Sequence, residues 1–247
     1  MVEIYIDTAS LEEINKWMDR GLIAGVTTNQ KIFLDKAKGC NFEEQAKKIL
    51  QLAYPLPVSL EGPNDLVGIL DAAMRYREWS DNVVIKVPML GNGDGLRAVK
   101  VLSEKCIKTN VTACMTLNQT YLASCAGATY VSLFYNRMMD WKYSQLVPKW
   151  KPGTLKKSKL NIIRARNYAL DTIDNTMVLL EEEFCDTKLI IGSIRSPLDI
   201  EEILMAAPHI ITIPTKILDQ MPFHSATEAA LQDFEKAWEE FCRAEKK

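Results

Sequence analysis

One lysine interrupts an otherwise apolar run, and its type and position indicate chemistry more directly than those of any other residue. The run VVIKVP places Lys86 in a segment with the composition of a strand buried on both faces. A lysine is almost never fully buried without a partner. Burial favours the neutral amine, which can attack a carbonyl carbon and form a Schiff base. The alternative is an ion pair from Lys86 to Glu61 or Asp7 that only supports the fold.

Two carboxylates and a threonine complete this candidate catalytic group. Asp7 and Glu61 end strand-like runs, and each could move protons during the formation and breakdown of an iminium ion. Glu61 and Thr112 lie on the runs that flank Lys86, so their side chains could point into the same interior. Either carboxylate could instead be a counter-ion, and Asp7 could cap the helix that follows it.

Four polar side chains at the ends of other strand-like runs could bind the hydroxyl groups of a polyol. They are Thr28, Asn29, Asn110 and Ser132. Buried amides and hydroxyls also commonly satisfy the backbone of nearby loops, which is the alternative here.

Three further residues indicate an anion site. Arg137, Ser193 and Arg195 follow two neighbouring strand-like runs, and guanidinium groups bind phosphate through paired, charge-assisted hydrogen bonds. The alternative for each arginine is a solvated salt bridge. The last strand-like run ends without a polar candidate.

These residues require a frame that brings the ends of many strands together. Eight short β-rich runs alternate with amphipathic stretches, which predicts a single-domain α/β fold over residues 1–247, the (β/α)8 TIM barrel. An open, doubly wound sheet is the alternative, but no GxGxxG turn follows any run. The predicted strands are Glu3–Asp7, Ile23–Thr27, Val58–Glu61, Val83–Val87, Lys108–Thr112, Tyr130–Leu133, Lys188–Gly192 and Ile210–Ile213. Active sites of such barrels lie at the carboxyl ends of the strands.

Two segments stand out from this alternation. Residues 138–160 make the unit after the sixth strand oversized, so we predict an insertion there that acts as a lid, a subunit contact or an idle excursion. Residues 226–247 have the pattern of a C-terminal helix. The uncharged stretch 109–136 is long enough for a membrane span, but its Thr, Asn, Gln and Ser content favours a buried strand, helix and strand.

Composition excludes several classes of partner. With 32 acidic and 30 basic residues the net charge is −2, which disfavours bulk attraction to nucleic acid or to an anionic membrane. The acidic N-terminus lacks the features of a signal peptide, so we expect a cytoplasmic protein. The six cysteines and two histidines show no ligand spacing, so neither a metal nor a disulfide framework is predicted.

Eight stretches, in order, resemble the transaldolase family, to which the fructose 6-phosphate aldolases also belong. They cover nearly the whole chain and include the residues discussed above. The stretches are YIDTAS, AGVTTN, VSLE, VVIKVPM, TNVTACMTLNQ, YVSLFYNR, GSIRSP and ITIPTKILDQM. The resemblance implies a barrel without a cofactor that acts in carbohydrate metabolism of the pentose phosphate type. It also implies a homo-oligomer.

The resemblance assigns a role to each candidate residue. Lys86 would form a Schiff base with a ketose, Asp7 would act as acid and base at the cleaved bond, and Glu61 with Thr112 would hold a proton-relaying water. The substrate would be held by two groups of side chains. Asn29 and Asn110, with Ser132 nearby, would bind the dihydroxyacetone unit, and Arg137, Ser193 and Arg195 would bind the phosphate.

Two positions distinguish activities within the family. Transaldolases carry a glutamate and a phenylalanine at the positions of Glu61 and Phe134, where the aldolases tend to carry glutamine and tyrosine. This pair favours transfer of dihydroxyacetone from an anionic ketose to an aldose acceptor. The alternatives are a lyase that releases free dihydroxyacetone and a non-catalytic barrel that binds a sugar phosphate. Departures at Gln30, at Lys31 and in the NR pair leave a sulfonate as an alternative to a phosphate tail.

Overall fold

Eight parallel strands close into a barrel in sequence order in the computed structural model, which describes residues 1–245. The predicted (β/α)8 TIM barrel is therefore confirmed. The strands are β1 (Glu3–Asp7), β2 (Gly25–Thr27), β3 (Val58–Glu61), β4 (Val83–Pro88), β5 (Thr109–Cys114), β6 (Tyr130–Phe134), β7 (Lys188–Gly192) and β8 (Ile210–Ile213).

Eleven helices accompany these strands within residues 1–245. Most begin at a residue whose side chain accepts a hydrogen bond from the first turn, as Ser10 does from the backbone N–H of Glu13. The helices are α1 (Leu11–Met18), α2 (Gln30–Lys36), α3 (Phe42–Ala53), α4 (Leu66–Tyr76), α5 (Asp94–Ser103), α6 (Leu117–Cys125), α7 (Tyr135–Leu146), α8 (Lys159–Glu183), α9 (Pro197–Met205), α10 (Thr215–Leu218) and α11 (Ser225–Glu245).

The barrel interior consists of an apolar layer below a polar one. Tyr5, Ile190 and Ile210 form a buried cluster, with Tyr130 packed against it, and close the end where the strands begin. Tyr5 fits only because β2 carries a glycine: a Cβ at Gly25 would lie 2.5 Å from the Tyr5 ring. Since side chains alternate along a strand, the inward residues two positions further along are those of the polar layer.

Several elements differ from the sequence prediction. β2 begins at Gly25 rather than at Ile23, β5 covers Thr109–Cys114 rather than Lys108–Thr112, and β4 and β6 each end one residue later than predicted. The helices α2, α7 and α10 were not predicted. Every residue of α2 is at least partly exposed, so it has no apolar stripe that periodicity could detect. α7 begins directly after β6 and buries polar residues such as Asn136 and Asp140, which hides its helical pattern in the sequence.

The predicted insertion, 138–160, divides among three parts of the fold. Its first nine residues continue α7, residues 147–158 connect the two helices, and α8 begins at Lys159. The segment does lie between β6 and the long helix α8. Its role as a lid or subunit contact stays a prediction.

The predicted C-terminal helix is α11, which extends from Ser225 to Glu245. Residues 246 and 247 of the prediction lie outside the described residues. Large apolar side chains on α11 are more than half exposed and recur every three or four positions. They are Leu231, Phe234, Trp238 and Phe241, which we call the α11 stripe.

The uncharged stretch folds as predicted, into β5, α6 and β6. Within residues 1–245, no helix combines the length and the apolar character needed to cross a lipid bilayer.

Candidate active site

A polar cavity of about 140 Å³ lies inside the barrel where the strands end. Nine of the twelve predicted site residues form its wall, and Glu61, Thr28 and Arg195 do not. The wall is formed by Asp7, Thr27, Asn29, Lys86, Asn110, Thr112, Ser132, Phe134, Arg137, Gly192, Ser193 and Thr212.

Lys86 is the buried lysine in the wall of this cavity. Its side chain is only 6% exposed, and its Nζ donates a hydrogen bond to the Thr28 carbonyl oxygen at 2.9 Å. The register of β3, β4 and β5 places Glu61 and Asn110 directly beside it. Glu61 Oε2 lies 3.7 Å from Nζ, so the ion pair to Glu61 that the sequence left as an alternative is present. The nitrogen therefore faces the polar cavity and not bulk solvent.

The two carboxylates beside Lys86 are held in a partly desolvated state. Burial raises the pKa of Asp7, although the charge of Lys86 and a hydrogen bond from Thr27 Oγ1, at 2.7 Å, act in the opposite direction. Burial likewise raises the pKa of Glu61, and Lys86 offsets part of the effect. A carboxyl group with a raised pKa can give and take protons nearer to neutral pH, as acid and base catalysis requires. Asp7 does not cap α1, since Ser10 has that role.

A chain of hydrogen bonds fixes the amide and hydroxyl groups on the β5 and β6 side. Ser132 Oγ donates to Asn110 Oδ1 at 2.7 Å, and Asn110 Nδ2 donates to Ser59 Oγ at 3.1 Å. Thr112 Oγ1 is buried and has no hydrogen-bond partner within residues 1–245. Because buried hydroxyls are normally satisfied, this group is suited to bind a ligand or a water.

Thr28 and Asn29, which follow β2, have different roles. Asn29 Oδ1 accepts from the backbone N–H of Ile32 at 2.9 Å and so caps α2, which leaves its Nδ2 group for the cavity. Thr28 does not line the cavity as predicted. Its Oγ1 donates to the Ser59 carbonyl at 2.7 Å, and its own carbonyl holds Lys86. Thr28 is therefore a positioning residue.

The predicted anion site is only partly assembled. Arg137 and Ser193 line the cavity, but Arg195 points elsewhere, with its Nη2 2.7 Å from Asp140 Oδ2. Lys156 pairs with the same carboxylate. Burial alone would raise the pKa of Asp140, but hydrogen bonds from Arg195 and Lys156 lower it below its ordinary value. Sequence spacing could not reveal that an acid from α7 holds this arginine.

The backbone at Ser193 adopts a left-handed conformation, with φ of 64°. It is secured by Asn136, whose Nδ2 donates to the Ser193 carbonyl at 2.9 Å and to Asp199 Oδ2 at 2.6 Å. Asp199 also accepts from the backbone N–H of Arg195 at 2.8 Å. The loop between β7 and α9 is thus fixed to α7.

Sequence analysis missed two threonines of the polar layer. Thr27 Oγ1 bonds both Asp7 and Thr212 Oγ1, and so links β1, β2 and β8. The last strand therefore does contribute a polar group to the site, against our expectation. Strict alternation along β8 places Thr212 inward, between the outward Ile211 and Ile213. This pattern could have identified Thr212 as a candidate site residue.

An apolar wall faces these polar groups. The Phe134 ring lies against Gly192, where a Cβ would be 3.7 Å from the ring and 3.3 Å from Thr212. The Arg137 guanidinium lies 5.9 Å from the centre of the same ring. A ring without a hydroxyl therefore borders the Lys86 cavity.

Within residues 1–245, no three His, Cys, Asp or Glu side chains cluster in a way that could hold a metal ion. The arrangement present consists of one buried amine, two partly desolvated carboxylates and a set of fixed hydrogen-bonding groups. It is suited to attack on a carbonyl carbon with proton transfer on either side.

Comparisons with known proteins find relatives that match nearly the whole chain. A family model described as transaldolase/fructose-6-phosphate aldolase matches residues 4–247. A protein of Anaeromyxobacter sp. named probable transaldolase is 36% identical over 96% of this chain and 98% of its own length. One of the same name from Clostridioides difficile is 33% identical over 96% and 97%.

Solved structures match the fold. Thiamine phosphate pyrophosphorylase from Pyrococcus furiosus aligns with a TM-score of 0.53 over 90% of this chain and 94% of its own. With 11% identity, it supports the barrel architecture and no statement on activity.

Proposed function

Because this chain belongs to the transaldolase/fructose-6-phosphate aldolase family, we propose that it transfers a dihydroxyacetone unit from an anionic ketose to an aldose acceptor through a Schiff base on Lys86. The observation that carries the proposal is the position of the Lys86 amine. It is 6% exposed, lies in the wall of the polar cavity with Asp7 and is 3.7 Å from Glu61, and burial raises the pKa of both carboxyl groups.

In the proposed reaction, the free amine of Lys86 attacks the ketone carbon, and loss of water gives an iminium ion. Asp7 then takes the proton of the hydroxyl group on the fourth carbon, the bond between the third and fourth carbons breaks, and the aldehyde leaves. The electron pair of that bond remains on the dihydroxyacetone unit as an enamine. Attack of the enamine on the acceptor aldehyde, with return of the proton from Asp7, forms the new ketose. Water then releases it from Lys86.

The other residues support this sequence of steps. Glu61 and Thr112 flank Lys86 and would hold the water that exchanges protons with the iminium ion. Asn29, Asn110 and Ser132 would bind the hydroxyl groups of the three-carbon unit. Arg137 and Ser193 would bind the anionic tail, a phosphate or a sulfonate, while Arg195 is engaged by Asp140.

Borohydride trapping tests the covalent step. Incubation with fructose 6-phosphate and borohydride should add mass to the peptide that contains Lys86, and Lys86→Met should abolish the adduct. A protein that binds the ketose without an adduct would be a sugar-phosphate-binding barrel.

Turnover with and without an acceptor separates transfer from cleavage. Since the apolar Phe134 ring borders the cavity, we expect fructose 6-phosphate to be consumed only when erythrose 4-phosphate is present. Release of free dihydroxyacetone at a similar rate without the acceptor would identify a lyase instead.

We further propose that the protein is a cytoplasmic homo-oligomer. The α11 stripe exposes more than half of each of its large apolar side chains, and contiguous apolar surface of this kind is typical of an interface. All six cysteines are free thiols in the described chain, which is compatible with a reducing compartment.

A further inference from the structure

A second, larger cavity opens beside the candidate active site. It has a volume of about 560 Å³ and shares Arg137 with the first cavity, so this residue lies on the boundary between the two. We call it the α7 groove. It lies between the start of α6, α7, α8 and the connection 147–158, and its main walls are Met115, Thr116, Arg137, Trp141, Pro152 and Tyr168.

Aromatic faces and neutral polar groups dominate the walls of the α7 groove. The rings of Trp141 and Tyr168 lie 5.5 Å apart, and Trp141 is 51% exposed, so part of its face is open to a ligand. Thr116 and Ser144 add hydroxyl groups. Surfaces of this composition bind ligands that combine an apolar face with hydroxyl groups.

The one acidic residue of the groove lining is already paired. It is Asp140, whose carboxylate accepts hydrogen bonds from Arg195 and Lys156. Lys142 Nζ lies 5.1 Å from the centre of the Tyr168 ring. Apart from Arg137, the lining therefore offers a ligand mainly aromatic faces and neutral polar groups.

The wall formed by residues 147–158 is fixed before any ligand arrives. Lys156 pairs with Asp140, and the Tyr143 hydroxyl accepts from the backbone N–H of Lys157 at 3.1 Å. The Trp150 ring packs edge-on against Tyr143 at 5.1 Å. A preformed wall reduces the entropy lost on binding.

We infer that the α7 groove binds the remote end of an acceptor aldehyde, and that this end is a bulky, ring-bearing substituent. The inference rests on the proposed function, which places the aldehyde carbon at Lys86. Because Arg137 borders both cavities, a ligand that extends from Lys86 past Arg137 enters the groove. The predicted insertion thus forms part of a binding site for substrate.

Calorimetric titration with 1-O-benzylglycerol tests the groove without any turnover. The wild-type protein should bind this unreactive alcohol, and Trp141→Ala should weaken binding about tenfold, since one ring face is lost. Leu155→Ala is the matched control, because Leu155 lies in the same connection and is 80% exposed outside the lining. Absence of binding to the wild-type protein, or equal binding by Trp141→Ala, overturns the inference.

Acceptor kinetics test what the groove selects. We expect a higher kcat/KM for 3-O-benzylglyceraldehyde than for glyceraldehyde, and a ratio of the two that falls about tenfold in Trp141→Ala. The ratio of glyceraldehyde 3-phosphate to glyceraldehyde should not change, because Arg137 binds the phosphate.

The two proposals fail in different ways. Turnover of all three acceptors with an unchanged benzyl ratio in Trp141→Ala contradicts the groove inference alone. Binding of 1-O-benzylglycerol that depends on Trp141, without turnover of any acceptor, leaves the groove as a binding site and contradicts the proposed function.

Discussion

At the scale of single residues, the proposed chemistry depends on how Lys86 and two carboxyl groups share one small, buried space. Burial disfavours the charged forms of Asp7 and Glu61, and the charge of Lys86 offsets part of this desolvation cost. The same contacts therefore stabilise the ion pair and keep the amine next to its proton acceptors. This explains why the structural and the catalytic interpretation of Lys86 are compatible.

Replacement of Lys86 by methionine should abolish turnover and retain the fold. An apolar chain of similar volume in place of a buried ion is often neutral for stability, and Asp7 and Glu61 can take up protons when the cation is removed. Circular dichroism and thermal unfolding check the fold, and an assay of ketose consumption checks activity. Lys100→Met, on the exposed surface of α5, is the control. Near-normal turnover by Lys86→Met would contradict the mechanism.

Asp7 should make the stability of the protein depend on pH in a defined direction. Its pKa is raised in the folded state, so its contribution is fully present below the ordinary carboxyl pKa, about 3.9, and is lost as the pH rises through the raised value. Asp7→Asn removes this loss of stability. The melting temperature of the variant, relative to that of the wild type, should therefore increase as the pH rises from 4 to 7.

Asp71→Asn provides the comparison for this measurement, because Asp71 is an exposed aspartate on α4. A difference between wild type and Asp7→Asn that stays constant over the same pH range would show that burial does not raise the pKa of Asp7.

At the scale of elements, α7 organises the side of the barrel where the anionic tail would bind. Over one turn and a half it presents Asn136 to the loop after β7, Arg137 to the cavity and Asp140 to the connection 147–158. One helix thus positions the arginine proposed to bind the anion, the strained loop at Ser193 and a wall of the α7 groove.

Asn136→Ala should impair binding of the anionic tail more than the chemical step. The substitution removes the side-chain donor to the Ser193 carbonyl and one of the donors to Asp199, so it should cost about 1–3 kcal/mol of stability and loosen the loop. We expect a higher KM for fructose 6-phosphate with a nearly unchanged kcat. The KM for unphosphorylated fructose serves as the control, and an equal rise for both sugars would argue against a role in tail binding.

At the scale of the whole molecule, α11 is a helix whose large apolar side chains are not buried against the barrel. Its apolar stripe faces away from the core, where such residues lower the solubility of a monomer. A second copy of the chain that covers the stripe would remove this surface from water.

Trp238→Glu should therefore shift the protein toward smaller assemblies in analytical ultracentrifugation, because a charge would be buried in the proposed interface. Gln232→Glu is the control, since it adds the same single negative charge at an exposed position on a different face of α11. A wild-type protein that sediments as a monomer would contradict the proposed oligomer.

The sequence by itself determined the barrel and the inward position of Lys86, Asp7, Glu61 and Thr112. These follow from patterns that are local along the chain, namely the alternation of strands with helices and of inward with outward side chains. The same patterns did not identify the helix α7, because it buries Asn136 and Asp140, which local patterns assign to the surface.

Only the tertiary structure decided which partners the remaining polar residues have. The pairing of Arg195 with Asp140, the support of Lys86 by the Thr28 carbonyl, the contribution of Thr212 and the α7 groove all join residues far apart in the chain. Spacing fixes the direction of a side chain within its own element. The relative placement of elements fixes what that side chain meets, and the placement depends on the packing of the whole barrel.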